Sequence, residues 1–146
     1  MAKHISNMNQ LQAALMPTMV KMVDELAERV YETLNYFLQE YYNSYDPKSY
    51  RRQYDFLRSA VKVEPKIKGS KVTASVFIDT ESMDNYYNAT GFQVAQWANQ
   101  GLHGGLNTGS KTPHVWDDTM DNTVNNGELL KLAVEYLRSK GISVRA

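Results

Sequence analysis

The sequence predicts an α+β fold: a long N-terminal helix and a C-terminal helix packed on a small antiparallel sheet, with a long irregular arm. Three observations predict it. Leu15, Met19, Met22, Leu26, Val30, Leu34, Phe37 or Leu38, and Tyr41 recur at steps of three and four, the spacing of one face of an α-helix. Periodicity then switches to two over residues 60–67 and 72–79. It returns to the helical value from Leu129 to Leu137. The 146 residues fit a single domain, which at this size buries roughly 70% of its unfolded surface.

The charged residues Asp24, Glu25, Glu28, Arg29, Glu32 and Glu40 fall largely outside the first apolar stripe. Pro17 fits the first turn of that helix, where its missing N–H costs nothing, so residues 5–15 are expected to form a separate short helix. Residues 1–16 then make an N-terminal extension. Asp46-Pro47 ends the run, because a residue before proline is pushed out of the α region. About 27 residues at 1.5 Å each give a rod of roughly 40 Å, against a radius of gyration of about 15 Å for a compact domain of this length. Such a rod overhangs its own core or lies across a neighbour.

Residues 49–58 read as a loop or short helix. The alternating runs Ala60–Ile67 and Val72–Asp79 then flank Lys68-Gly69-Ser70-Lys71, a hairpin turn in which Gly69 supplies positive φ. Pro65 places the first strand on a sheet edge or at a bulge. Thr90–Ala98 reads as a short helix. From Asn99 to Asn126 nothing is periodic, and an arm of that length is usually functional; Val115 and Trp116 supply its apolar anchors. Asn125 and Glu128 have capping-box spacing. Leu129, Leu130, Ala133, Val134 and Leu137 mark one face of the last helix, and Gly141 is its expected cap. Ile142-Ser143-Val144 is placed as a last strand.

Composition excludes several classes. The chain has no cysteine, so it has no disulfide, thiolate zinc site or thiol nucleophile, and a reducing cytosol is permitted. No apolar run approaches the roughly 18 residues of a membrane span, and Met1-Ala-Lys-His-Ile-Ser-Asn lacks the apolar core of a secretory signal. Sixteen cations balance sixteen anions, which argues against a protein that lives by wrapping nucleic acid. The balance hides an asymmetry: residues 45–71 carry +5 and the remainder −5. Seven of the ten tyrosines, Tyr31, Tyr36, Tyr41, Tyr42, Tyr45, Tyr50 and Tyr54, lie within 24 residues.

No catalytic, cofactor or metal site is expected. His103 and His114 stand in a glycine-rich stretch without the i, i+4 spacing of a helical zinc pair. Asp117 and Asp118 are sequence neighbours and point to different sides of any regular element, so a hydrolase built on them and His103 is a distant third reading. Gly101-Leu-His-Gly-Gly lacks the Lys-Ser/Thr of a phosphate loop. Tyr50, Arg51, Arg52, Tyr54, Phe56 and Arg58 interleave cations with aromatics, which suits either base stacking with phosphate contact or a protein interface. The split charge favours the interface, since +5 facing −5 suits head-to-tail contact between identical copies. A small nucleic-acid-binding module built on residues 48–58 is the alternative.

These residues together resemble a known family. A long helix, then Tyr45-Asp-Pro-Lys-Ser-Tyr50-Arg-Arg-Gln-Tyr54, a hairpin, Trp97-Ala-Asn-Gln-Gly-Leu-His103-Gly-Gly105, and Trp116 before a final helix ending in Lys140-Gly-Ile-Ser-Val are similar to the head–tail joining (neck, or tail-completion) proteins of long-tailed bacteriophages. The resemblance runs from about residue 20 to the end. It implies a non-enzymatic virion protein, a minor tail component located at the head–tail junction and made in the bacterial cytoplasm. Its partners would be copies of itself in a ring, portal- or adaptor-side head proteins, and tail-terminator or tail-tube proteins, with non-specific contact to channel DNA and none to a membrane. The interface it implies comprises Tyr45, Tyr50, Arg51, Arg52, Tyr54, Trp97, His103, Gly104, Gly105 and Trp116.

Overall fold

The computed structural model describes residues 5–45, 54–83, 89–103, 106–107 and 111–145. The elements run α1 (Met8–Asn43), β1 (Ala60–Lys68), β2 (Lys71–Ile78), α2 (Gly91–Asn99), α3 (Val115–Asp121) and α4 (Glu128–Ser139). The α+β prediction is met: helix α1 is the spine, and the hairpin, α3 and α4 all lie against it.

Helix α1 is one unbroken rod of 36 residues, about 54 Å long. The expected break at residue 16 does not exist, and Pro17 sits in the helix interior. The helix tolerates it because Ala13, whose carbonyl loses its i+4 donor, and Pro17 are both exposed, so water can take that carbonyl. The start is set eight residues earlier than the apolar stripe, by Asn7, whose side chain accepts from the Gln10 N–H at 2.9 Å. Gln10 in turn accepts from the Ser6 N–H at 2.7 Å.

The hairpin turns at Gly69, with φ of +62°. Its register shifts between Val63 and Lys66, so Pro65 lies at a bulge, where the ladder does not need its missing N–H. Val72, Ala74, Val76 and Ile78 of β2 are half-buried and the residues between them exposed. Lys62 is pinned to the helix: its ammonium lies 2.7 Å from Asp24 and 2.8 Å from Glu28. Hydrogen bonds to these two carboxylates, Asp24 foremost, hold it above the ordinary lysine range.

The core gathers on the C-terminal half of α1. Leu34, Leu38, Tyr41 and Tyr42 pack with Phe56, Ala60, Met83, Ala98 and Val115. No residue of α1 before Met22 is buried. A Cβ on Gly91 would fall on the Thr80 carbonyl oxygen, so only glycine lets α2 start there.

The stretch 99–126 is more ordered than its composition suggests, since it contains α3. The buried face of that segment is Val115, Thr119 and Thr123, spaced by four but largely polar. Each threonine hydroxyl donates to the carbonyl four residues back, at 2.7 Å, which removes the cost of burying it. Asn125 does not cap α4; its side chain donates to Asp121 at 2.8 Å, held by the end of α3. Helix α4 instead starts at left-handed Gly127, with the Asn126 side chain accepting from the Glu128 N–H. Leu130 remains 63% exposed, one turn before buried Val134, so the apolar face is covered only from its second turn. At the other end Gly141 N–H donates to Arg138 and Ile142 N–H to Leu137, a complete Schellman cap. Residues 142–144 form no strand; the Val144 carbonyl accepts from Arg138 instead.

Candidate functional site

Tyr41 and Tyr42 stand in the last turn of α1, and Tyr45 follows just beyond its cap. Tyr41 and Tyr45, four residues apart, fall on one side of the helix terminus and clasp His103 between them. The Tyr41 ring stacks on the imidazole at 4.3 Å and the Tyr45 ring lies tilted at 4.8 Å. The Tyr41 hydroxyl donates to the Leu102 carbonyl at 2.7 Å. Ser44, the helix cap, donates its single hydroxyl proton to the Tyr41 carbonyl at 2.7 Å, so the contact of its oxygen with His103 Nε2 at 3.0 Å requires the imidazole to be the donor there. His103 is held in place from the other direction by Leu106, with which it exchanges both backbone hydrogen bonds.

A second aromatic layer continues outward. Tyr42 stacks on Tyr54 at 5.7 Å, and Phe56 lies edge-on to Tyr41 at 5.6 Å. The Tyr42 hydroxyl accepts from the Leu57 N–H at 3.3 Å. Inner rings are buried and outer ones are wet: Tyr41 and Tyr42 belong to the core, whereas Tyr54 is 46% exposed. Ring pairs of this kind contribute about 0.5–1.5 kcal/mol beyond their buried area, so the layer forms a rigid platform with an accessible rim.

Of the interface residues expected from the sequence, Tyr45, Tyr54 and His103 are brought together here. Trp97 is adjacent in the chain, its carbonyl accepting from the Leu102 N–H at 2.8 Å. Trp116 is not: it lines an apolar depression of about 290 Å³ with Val23, Val30, Val76, Met120 and Leu129, near the middle of α1. Tyr50, Arg51, Arg52, Gly104 and Gly105 lie outside the described residues, as does most of the 48–58 segment on which nucleic-acid binding was expected. Sequence reasoning missed Ser44 and the Leu102 carbonyl; only the four-residue spacing of Tyr41 and Tyr45 was available to find the clasp.

His114 and the two aspartates do different work. The His114 Nδ1–H donates to the Asn99 carbonyl at 2.8 Å, the only direction a carbonyl allows, and the Asp118 carboxylate accepts from the His114 N–H at 2.9 Å. The Asn99 side chain accepts from the Asp117 N–H at 2.8 Å. These bonds tie α2 to the start of α3. Among the described residues no group of three or more histidines and carboxylates is placed to hold a metal, and no helix is long and apolar enough to cross a membrane.

A larger groove, about 560 Å³, runs between α1 and α4. Met22, Leu26, Leu132 and Tyr136 form its apolar part, and Glu25, Glu32 and Glu135 stand around it, all three exposed.

The model of the YomN family matches residues 7–139, from the cap of α1 to the last turn of α4. The chain belongs to the YomN family. YomN takes its name from a protein of a Bacillus phage region, so the chain is phage-related. No curated protein and no solved structure matches the chain. The YomN match covers the aromatic clasp and the α1–α4 groove alike.

Proposed function

We propose that this YomN-family protein is a non-enzymatic structural component of the virion, forming part of the ring that joins the phage head to the tail tube. The observation that carries the reading is the meeting of Tyr45 with His103. Tyr45 and His103 belong to two of the segments that carry the likeness to head–tail joining proteins, and they meet although they are 58 positions apart in the chain. A platform with a buried aromatic base and exposed Tyr54 suits docking, because phenol rings supply large contact area with few rotors to freeze. The rod α1, unburied along its first 14 residues, supports the same reading: a subunit finished by its neighbours presents such an element.

Electron microscopy of purified phage particles tests it. The chain is expected as a ring at the head–tail junction, and particles lacking the gene are expected to accumulate as unjoined heads and tails. Finished virions without the protein would end this reading.

A further inference from the structure

Among the described residues, three unpaired lysines cluster on one surface and three unpaired glutamates on another. The hairpin tip presents Lys66, Ile67, Lys68 and Lys71, all exposed, with Ile67 at 56%. The groove between α1 and α4 presents the reverse: an apolar floor with Glu25, Glu32 and Glu135 around it. None of these lysines or glutamates makes an ion pair among the described residues. Two cations also line the groove, and both have partners: Arg29 pairs with Glu128 at 3.4 Å and Lys140 lies over the Tyr136 ring.

From this we infer that the hairpin tip of one copy seats in the α1–α4 groove of a second copy, Ile67 on the apolar floor and the flanking lysines against the glutamates. A copy cannot fill its own groove. Its tip lies beside Gln12, whose side chain reaches the Gly69 carbonyl at 3.4 Å, whereas the groove is built on Met22 to Glu32, about 15–30 Å further along the rod. The contact is therefore heterologous, tip to groove, and repeats from copy to copy, closing into a ring when the rotation allows. This contact rests on the ring reading above only for its setting in the virion, and it is testable without particles.

The chain has no cysteine, so single cysteines report on contact without background. Lys68→Cys and Glu135→Cys proteins are mixed under mild oxidation, with Lys68→Cys plus Ser75→Cys, on the exposed outer face of β2, as control. The tip–groove pair is expected to link at least about tenfold faster than the control, because a seated tip raises the local thiol concentration. Salt is expected to slow it. Adding Lys66→Glu to the tip variant is expected to abolish the advantage, and Glu25→Lys in the groove variant to restore it. Equal rates for the two pairs, or an advantage unmoved by charge reversal, would overturn the contact. Absence of the protein from the head–tail junction would remove the ring reading and leave this result standing. Rings in virions whose cysteine pair does not link would overturn the contact alone.

Discussion

The Tyr41 ring lies 4.3 Å from the His103 imidazole and within 17° of parallel to it, joining the end of α1 to a segment 62 positions away. Its hydroxyl bond to Leu102 separates two contributions to stability. Tyr41→Phe keeps the stack and removes the hydrogen bond, so it is expected to cost about 0.5–1.5 kcal/mol. Tyr41→Ala removes both and is expected to cost about 3–5 kcal/mol. Urea denaturation of both variants and of His103→Ala measures this. The double variant Tyr41→Ala/His103→Ala should show a coupling of about 0.5–1.5 kcal/mol, and strict additivity would mean the stack carries nothing.

Leucines at two depths should respond to different extents. Leu34 is fully buried in the core, while Leu130 is 63% exposed on α4. Leu34→Ala is expected to lose about 2–5 kcal/mol, with the cavity adding to the transfer loss. Leu130→Ala is expected to stay within about 0.5 kcal/mol of the parent. Shifted denaturation midpoints at constant slope check both.

Pro17 leaves a local weak point in a helix end that carries no buried residue. Pro17→Ala restores the hydrogen bond to the Ala13 carbonyl, and a proline in a helix interior is about 3 kcal/mol worse than alanine. Because residues 8–21 of α1 include none that is buried, the gain should appear as slower amide exchange before residue 17. The global unfolding midpoint should scarcely move. A large rise in that midpoint would mean this end is coupled to the core.

Lys62 gives a pH signature. Its pKa is raised in the fold by Asp24 and Glu28, so its contribution is full below the unfolded lysine value, about 10.4. It is lost as pH climbs through the folded value. The stability difference between the parent and Lys62→Met should therefore be flat from pH 7 to about 10 and shrink above that. Chemical denaturation at a series of pH values tests it; a difference that shrinks already near neutrality would show that the ammonium is not held by these carboxylates.

Periodicity and turn chemistry are local properties, and they determined the long helix, the bulged hairpin about Gly69, the short helix from residue 91 and the glycine-capped last helix without reference to the rest of the chain. The extent of α1 was harder, since Pro17 reads as a boundary unless its exposure is known, and exposure is set by what packs nearby. Helix α3 escaped because the buried face it begins continues through Thr119 and, just past its end, Thr123, whose hydroxyls bond the carbonyls four residues back and so leave no apolar rhythm to read. Tertiary structure alone decided that His103 would lie between Tyr41 and Tyr45, that Trp116 would sit apart from them, and that α4 would leave an acid-rimmed groove along α1. Each of these depends on segments distant in the chain, 58 positions for Tyr45 with His103 and 110 for Met22 with Leu132, and such meetings come from the packing of whole elements, which no short window of sequence contains.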